Sequence, residues 1–94
     1  MFLNIKRNQQ QEMIHTIENI LPIGASVLSF NYKGNLLSEE IFVEIRCADK
    51  SHIFHTIKGN IYYNNRLYCN SSYHYLEKQS TFGKLLDVIK QITN

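Results

Sequence analysis

Two stretches with helical periodicity enclose a middle segment in which apolar and polar residues alternate. In the first stretch, Lys6 to Leu21, the apolar residues have the spacing of one helix face: Met13, Ile14, Ile17, Ile20 and Leu21. In the closing stretch, which Ser80 or Thr81 can cap, the apolar stripe is Phe82, Leu85, Leu86, Ile89 and Ile92. Each predicted helix therefore has one face that another element must cover.

The ends of the first helix follow from its flanking residues. Pro22 ends it, because the residue before a proline is pushed out of the α region. Its start is set by an N-cap, for which Asn4 and Asn8 are the two candidates.

The middle of the chain reads as antiparallel strands separated by turn residues. The first predicted strand is Ala25 to Tyr32, with Leu28, Phe30 and Tyr32 on one face and a turn at Lys33-Gly34-Asn35. The clearest strand alternates Ile41, Val43, Ile45 and Cys47 with Phe42, Glu44 and Arg46. A third runs from about His52 to Ile57 and ends in a hairpin turn at Lys58-Gly59-Asn60. Residues 61–69 form a fourth strand bent at Asn64-Asn65, or two short strands around a tight turn.

These elements predict a single α+β domain over residues 1–94, in the order α-β-β-β-β-α, with an antiparallel sheet of about four strands. Its 94 residues suffice for one core and are too few for two. We expect both helices to cover the same face of the sheet, which leaves the other face partly exposed. The alternatives place one helix on each face, or one across a sheet edge.

Composition excludes several classes of protein. No apolar run approaches the roughly 20 residues that span a bilayer. The first residues place their apolar side chains before their charges, the reverse of a secretory signal, so we expect a cytoplasmic protein. A formal charge of +2 argues against a duplex-DNA binder and against an acidic nucleic-acid mimic. Cys47 and Cys69 are expected to be free, partly buried thiols, and without a CxxC pair they do not indicate a metal site.

No catalytic or cofactor-binding set is recognisable, so we expect a protein that is not an enzyme and binds no cofactor or metal. Of the histidines, His15 borders the helix stripe, His74 lies among tyrosines, and the H-x-x-H pair His52 and His55 would point to opposite faces of a strand. We expect His55 to be a half-buried core residue beside Ile53 and Ile57. The carboxylates form no acid–base pair, and no nucleophile-elbow, Walker or GxGxxG motif occurs. A small nuclease would require two of His52, His55 and His74 to converge.

Tyrosine is concentrated in one short segment of fourteen residues, which contains Tyr62, Tyr63, Tyr68, Tyr73 and Tyr75 together with Arg66. Tyrosine and arginine are enriched on recognition surfaces, whereas alternate tyrosines of a strand can equally pack against the sheet. Burying all five would require a hydrogen-bond partner for every hydroxyl. The predicted binding residues are therefore these six and the outward-facing Phe42, Glu44 and Arg46.

The segment Glu12 to Tyr32 reads as a helix ending in Ile-Leu-Pro, then a small residue and a strand. This order resembles the opening of small bacterial toxin-immunity proteins of the YezG-like family, and the strand Ile41 to Ile45 is similar to their second strand. The resemblance covers the first half of the chain. It implies a cytoplasmic protein that neutralises a toxin by occlusion and without catalysis, and it carries over no binding residue.

The expected partner is a protein, and a cognate toxin is the first candidate. The alternative is a small RNA- or single-strand-binding protein that uses the aromatic residues beside Arg66, Lys50 and Lys58, although the basic charge for this is sparse. An open sheet edge would also permit a homodimer.

Overall fold

The computed structural model describes residues 2–34, 39–70 and 80–94. Helix α1 (Phe2–Ile20) precedes five strands, and helix α2 (Thr81–Thr93) follows them. The strands are β1 (Ser26–Gly34), β2 (Glu39–Cys47), β3 (Lys50–Ile57), β4 (Asn60–Tyr63) and β5 (Arg66–Cys69). They form one antiparallel sheet in sequential order, which confirms the α+β class and the flanking helices.

Three two-residue turns fold the middle of the chain into this meander. Both residues of each turn have positive φ: Ala48-Asp49 (54° and 63°), Lys58-Gly59 (51° and 82°) and Asn64-Asn65 (49° and 69°). Positive φ at both positions defines the hairpin turn whose twist matches that of the flanking strands. The turn at Asn64-Asn65 divides residues 60–69 into two strands, so the sheet has five strands where about four were expected.

One face of the sheet carries the core and both helices. Ile41, Val43 and Ile45 of β2, Phe54 and Thr56 of β3, and Ile61 of β4 are fully buried on this face. Buried residues of both helices join them: Met13 and Ile17 of α1, and Leu85, Val88 and Ile89 of α2. The expectation that both helices share one face is confirmed, and we call the opposite side of the sheet the open face.

The boundaries of the helices differ from the prediction at one end only. Helix α1 begins at Phe2, so neither Asn4 nor Asn8 is its N-cap. Helix α2 is capped by Ser80, whose Oγ accepts a hydrogen bond of 3.0 Å from the amide of Gly83. No helix among the described residues is long and apolar enough to cross a membrane.

The predicted phase of β1 is wrong at Leu28. A bulge between Val27 and Ser29 shifts the register, so that Val27 pairs with Ile45 and Phe30 pairs with Val43. Val27 therefore takes the inward position and Leu28 is 49% exposed. The strand also continues through Lys33 and Gly34, which were expected in a turn.

The far end of β1 is attached to β2 by a half-buried phenol. Tyr32 donates a hydrogen bond of 2.8 Å from its hydroxyl to Glu39 Oε2. Burial, with smaller contributions from this bond and from the charge of Glu39, raises the pKa of Tyr32 to about 12. Gly34 leaves room for the ring, because a Cβ there would lie 2.8 Å from Tyr32 Cζ, closer than real Cβ contacts come.

A buried threonine links β2 to β3 where their paired register ends at Phe42 and His55. The Thr56 hydroxyl accepts a hydrogen bond of 2.9 Å from the amide of Ile41 and donates one of 3.2 Å to the carbonyl of Glu39. The side chain thus satisfies two backbone groups, which would be costly to bury unpaired.

Candidate binding surface

A row of side chains crosses the open face from one edge of the sheet to the other. The register places one residue of each strand in it, and we call these five residues the aromatic row: Asn31, Phe42, His55, Tyr62 and Leu67. Directly paired residues of antiparallel strands have their side chains on the same face, about 5 Å apart. Five strands at roughly 4.8 Å spacing make the row about 19 Å long.

Apolar residues occupy the centre of the open face and charged residues lie around them. Ile53 and Ile57 flank His55 on β3, and all three are half-buried. Glu40 and Glu44 flank Phe42 on β2, while Lys33 and Arg46 lie further out and are exposed. None of the described elements packs on this face. An apolar centre with a polar rim is the usual anatomy of a protein–protein interface.

The middle of the aromatic row is held in a defined geometry. The rings of Phe42 and His55 contact each other edge to face, with centroids 6.2 Å apart and planes inclined by 68°. A shallow depression of about 230 Å³ lies beside them and is lined also by Asn31, Lys33 and Glu40. Because Thr56 ties β3 to β2 next to His55, these two rings stand on a fixed part of the sheet.

The tyrosines of the predicted binding segment do not share one surface. Tyr62 belongs to the aromatic row, whereas Tyr63 lies on the helix side. The Tyr63 hydroxyl makes a hydrogen bond of 2.7 Å with His52 Nδ1, and its ring stacks on that of His52. The ring also packs on Phe54, with the two ring centroids 5.3 Å apart. Tyr68 is 47% exposed, and its hydroxyl donates a hydrogen bond of 3.0 Å to Gln91 of α2. Tyr73 and Tyr75 lie outside the described residues.

The three remaining predicted residues also divide between the two sides of the sheet. Glu44 and Arg46 are on the open face with Phe42, as expected. Arg66 pairs with Tyr63 and therefore starts on the helix side, at the tip of the β4–β5 hairpin. It lines a depression of about 560 Å³ together with Tyr63, Asn64, Leu67 and Tyr68.

The histidines do not converge within the described part of the chain. His52 and His55 point to opposite faces of the sheet, as predicted. His52 lies on the face that the helices cover, and His55 lies on the open face. His15 is exposed and lies 3.5 Å from Glu18, and His74 is outside the described residues. Among the residues that the structure describes, no group of three or more His, Cys, Asp or Glu side chains could hold a metal ion. Cys47 and Cys69 are free and half-buried, as expected.

Sequence reasoning missed Asn31, His55 and Leu67 as members of the aromatic row. The pairing follows from the turn lengths, and the third strand begins at Lys50 and not at about His52 as predicted. A two-residue turn at Ala48-Asp49 places Cys47 opposite Lys50, and counting back along both strands brings Phe42 opposite His55.

Comparison with protein-family models, with curated proteins and with solved structures gives no significant match to this chain. Its function must therefore be inferred from its own residues and their arrangement.

Proposed function

We propose that this chain is a non-catalytic protein-binding module of the immunity or antitoxin type, which acts in the bacterial cytoplasm by covering the active site of a toxin. The observation that supports this is the aromatic row on the open face, with apolar side chains at its centre and Glu40, Glu44, Lys33 and Arg46 around them. The resemblance of residues 12–32 to immunity proteins points in the same direction.

Phe42 and Tyr62 are the expected anchors of this surface. Each is half-buried on a rigid strand, so ordering it in a complex costs little entropy while its ring still has area to bury. Interface energy concentrates in a few central residues of this kind, and the surrounding contacts mainly exclude water. A partner that lies across the row would desolvate both rings together with Ile53 and Ile57.

The same row resembles a platform for single-stranded nucleic acid, in which aromatic rings on an open sheet face stack bases. Two observations favour a protein partner. The 68° inclination of Phe42 against His55 does not offer two parallel faces for successive bases. Glu40 and Glu44 on either side of Phe42 would repel phosphates. A gel shift with single-stranded RNA at two salt concentrations tests the alternative, since a salt-sensitive shift at micromolar protein would favour it.

The proposal is tested by measuring affinity for the product of the adjacent gene, because immunity proteins are encoded beside their toxins. Calorimetry would compare the wild-type chain with Phe42→Ala, Tyr62→Ala and the double variant. His15→Ala is the matched control, since His15 is an exposed ring on α1, away from the open face. We expect each anchor variant to weaken binding by roughly tenfold or more, and the control to bind normally.

Two results would count against the proposal. One is that the neighbouring protein does not bind the wild-type chain. The other is that the double variant, shown by circular dichroism to be folded, binds as tightly as the His15→Ala control.

A further inference from the structure

In projection the open face measures roughly 400 Å², from Arg46 to Glu40 along β2 and across five strands. A standard interface buries about 800 Å² of accessible surface on each partner, so we expect the contact to extend past an edge of the sheet. At the β5 edge the aromatic row ends in Leu67, which is 56% exposed and also lines the depression around Arg66.

We propose that this depression, the Arg66 pocket (Tyr63, Asn64, Arg66, Leu67 and Tyr68), binds an acidic side chain of the partner protein, presented beside an apolar residue that packs on Leu67. The inference rests on the proposed function and names the chemistry of the partner at one end of the same surface. Arg66 is the pocket's single charged residue among those the structure describes, and it has no ion-pair partner there. A guanidinium without a carboxylate is complementary to an anion, which it binds through two parallel hydrogen bonds.

The pocket is built on a fixed support. Asn64 and Asn65 form a two-residue turn of positive φ, and Asn64 is joined to Ile53 twice: its amide donates to the carbonyl at 2.8 Å, and its Oδ1 accepts from the Ile53 amide at 3.0 Å. On the other side of the turn, Arg66 pairs directly with Tyr63. The guanidinium is therefore carried by a hairpin that does not need to be ordered on binding.

The aromatic walls of the pocket are held just as firmly. Tyr63 is fixed by its hydrogen bond to His52 and by its contact with the fully buried Phe54. Tyr68 is held to α2 through Gln91. Arg66 itself is exposed, so the rings define the shape of the pocket around a guanidinium that a carboxylate can reach without rearrangement.

The test is an NMR titration of the full chain with the synthetic peptide acetyl-Leu-Glu-Leu-Glu-Leu-amide, with its glutamine analogue as the uncharged probe. We expect saturable shifts at the side-chain Nε–H of Arg66 and at the rings of Tyr63 and Tyr68 with the acidic peptide alone. Arg66→Gln should weaken binding about three- to fivefold, because an ion pair at an exposed residue is weak. Arg66→Lys should restore only part of it, since lysine keeps the charge and loses the fork. Lys50→Gln is the control, because it removes the same charge from an exposed strand position at another hairpin.

Equal binding of the glutamine analogue, or an equal loss of affinity in Lys50→Gln and Arg66→Gln, would overturn the assignment. So would tighter binding of a single-stranded oligonucleotide at the same signals, because it would assign the pocket to phosphate. If the neighbouring gene's product loses affinity for Phe42→Ala and not for Arg66→Gln, the Arg66 pocket is refuted while the proposed function stands.

Discussion

Replacement of Thr56 by valine tests whether a hydroxyl or an apolar contact holds β2 to β3 beneath the aromatic row. The two side chains have nearly the same shape, and Thr56 is fully buried, so the change exchanges a hydroxyl for a methyl without opening a cavity. It removes the acceptor of the Ile41 amide at 2.9 Å and the donor to the Glu39 carbonyl at 3.2 Å.

The expected magnitude follows from these two bonds. Leaving a buried donor unpaired costs about 1–3 kcal/mol, and Ile41 is fully buried. The loss at Glu39 is smaller, because this residue is only half-buried. Burial of one additional methyl group returns about 0.8 kcal/mol. We therefore expect Thr56→Val to lower the free energy of unfolding by about 2 kcal/mol.

Urea denaturation of Thr56→Val and Thr56→Ser measures the effect against its matched control. Serine retains the hydroxyl and loses a methyl, at a cost of about 1 kcal/mol. The hydrogen-bond argument thus predicts that the serine variant is more stable than the valine variant, whereas hydrophobic burial alone predicts the opposite order. In Thr56→Val, hydrogen exchange of the Ile41 amide should also become faster. A valine variant at least as stable as the wild type would refute the reasoning.

Four further predictions follow, one for the turn, two for the strand end and one for the helix cap. In urea denaturation, Asn64→Gly should be less destabilising than Asn64→Ala. Both variants lose the hydrogen bond to the Ile53 amide, but only alanine is strained at φ 49°. The reverse order of stability would contradict this reasoning. Gly34→Ala should displace the ring of Tyr32 and lower its pKa from about 12 toward 10.0. Ultraviolet titration of the phenolates would detect this change, and a tyrosine that still titrates as late as in the wild type would show that the ring had not moved. The folded state binds the Tyr32 proton more tightly than the unfolded chain does, so the stability that this proton provides is present below pH 10 and is lost as the pH rises through about 12. In Tyr32→Phe, the fall in the free energy of unfolding over this pH range should be smaller by that amount. Ser80→Ala should lower the free energy of unfolding by about 1 kcal/mol and Ser80→Asp by little, since aspartate also caps; equal losses would rule out the cap as the cause.

The elements of this fold could be predicted because their signals are local. The alternation of Ile41, Val43 and Ile45, the apolar stripe of α2 and the cap at Ser80 depend on residues within one or two turns of each other. The same local patterns predicted one sheet with both helices on one face, and they separated His52 from His55 because the side-chain period of a strand is two.

Tertiary structure decided which face of each strand is buried and which residues meet on the other side. Periodicity divides the residues of β3 into two alternating sets, one that contains His52 and one that contains His55. It does not state which set the helices cover, and only packing placed Phe54 and Thr56 inward. The bulge that exposes Leu28 adds one residue to β1, which no alternating pattern specifies. The aromatic row consists of residues from five strands brought into line by register, so its members are neighbours in space although they are distant in sequence.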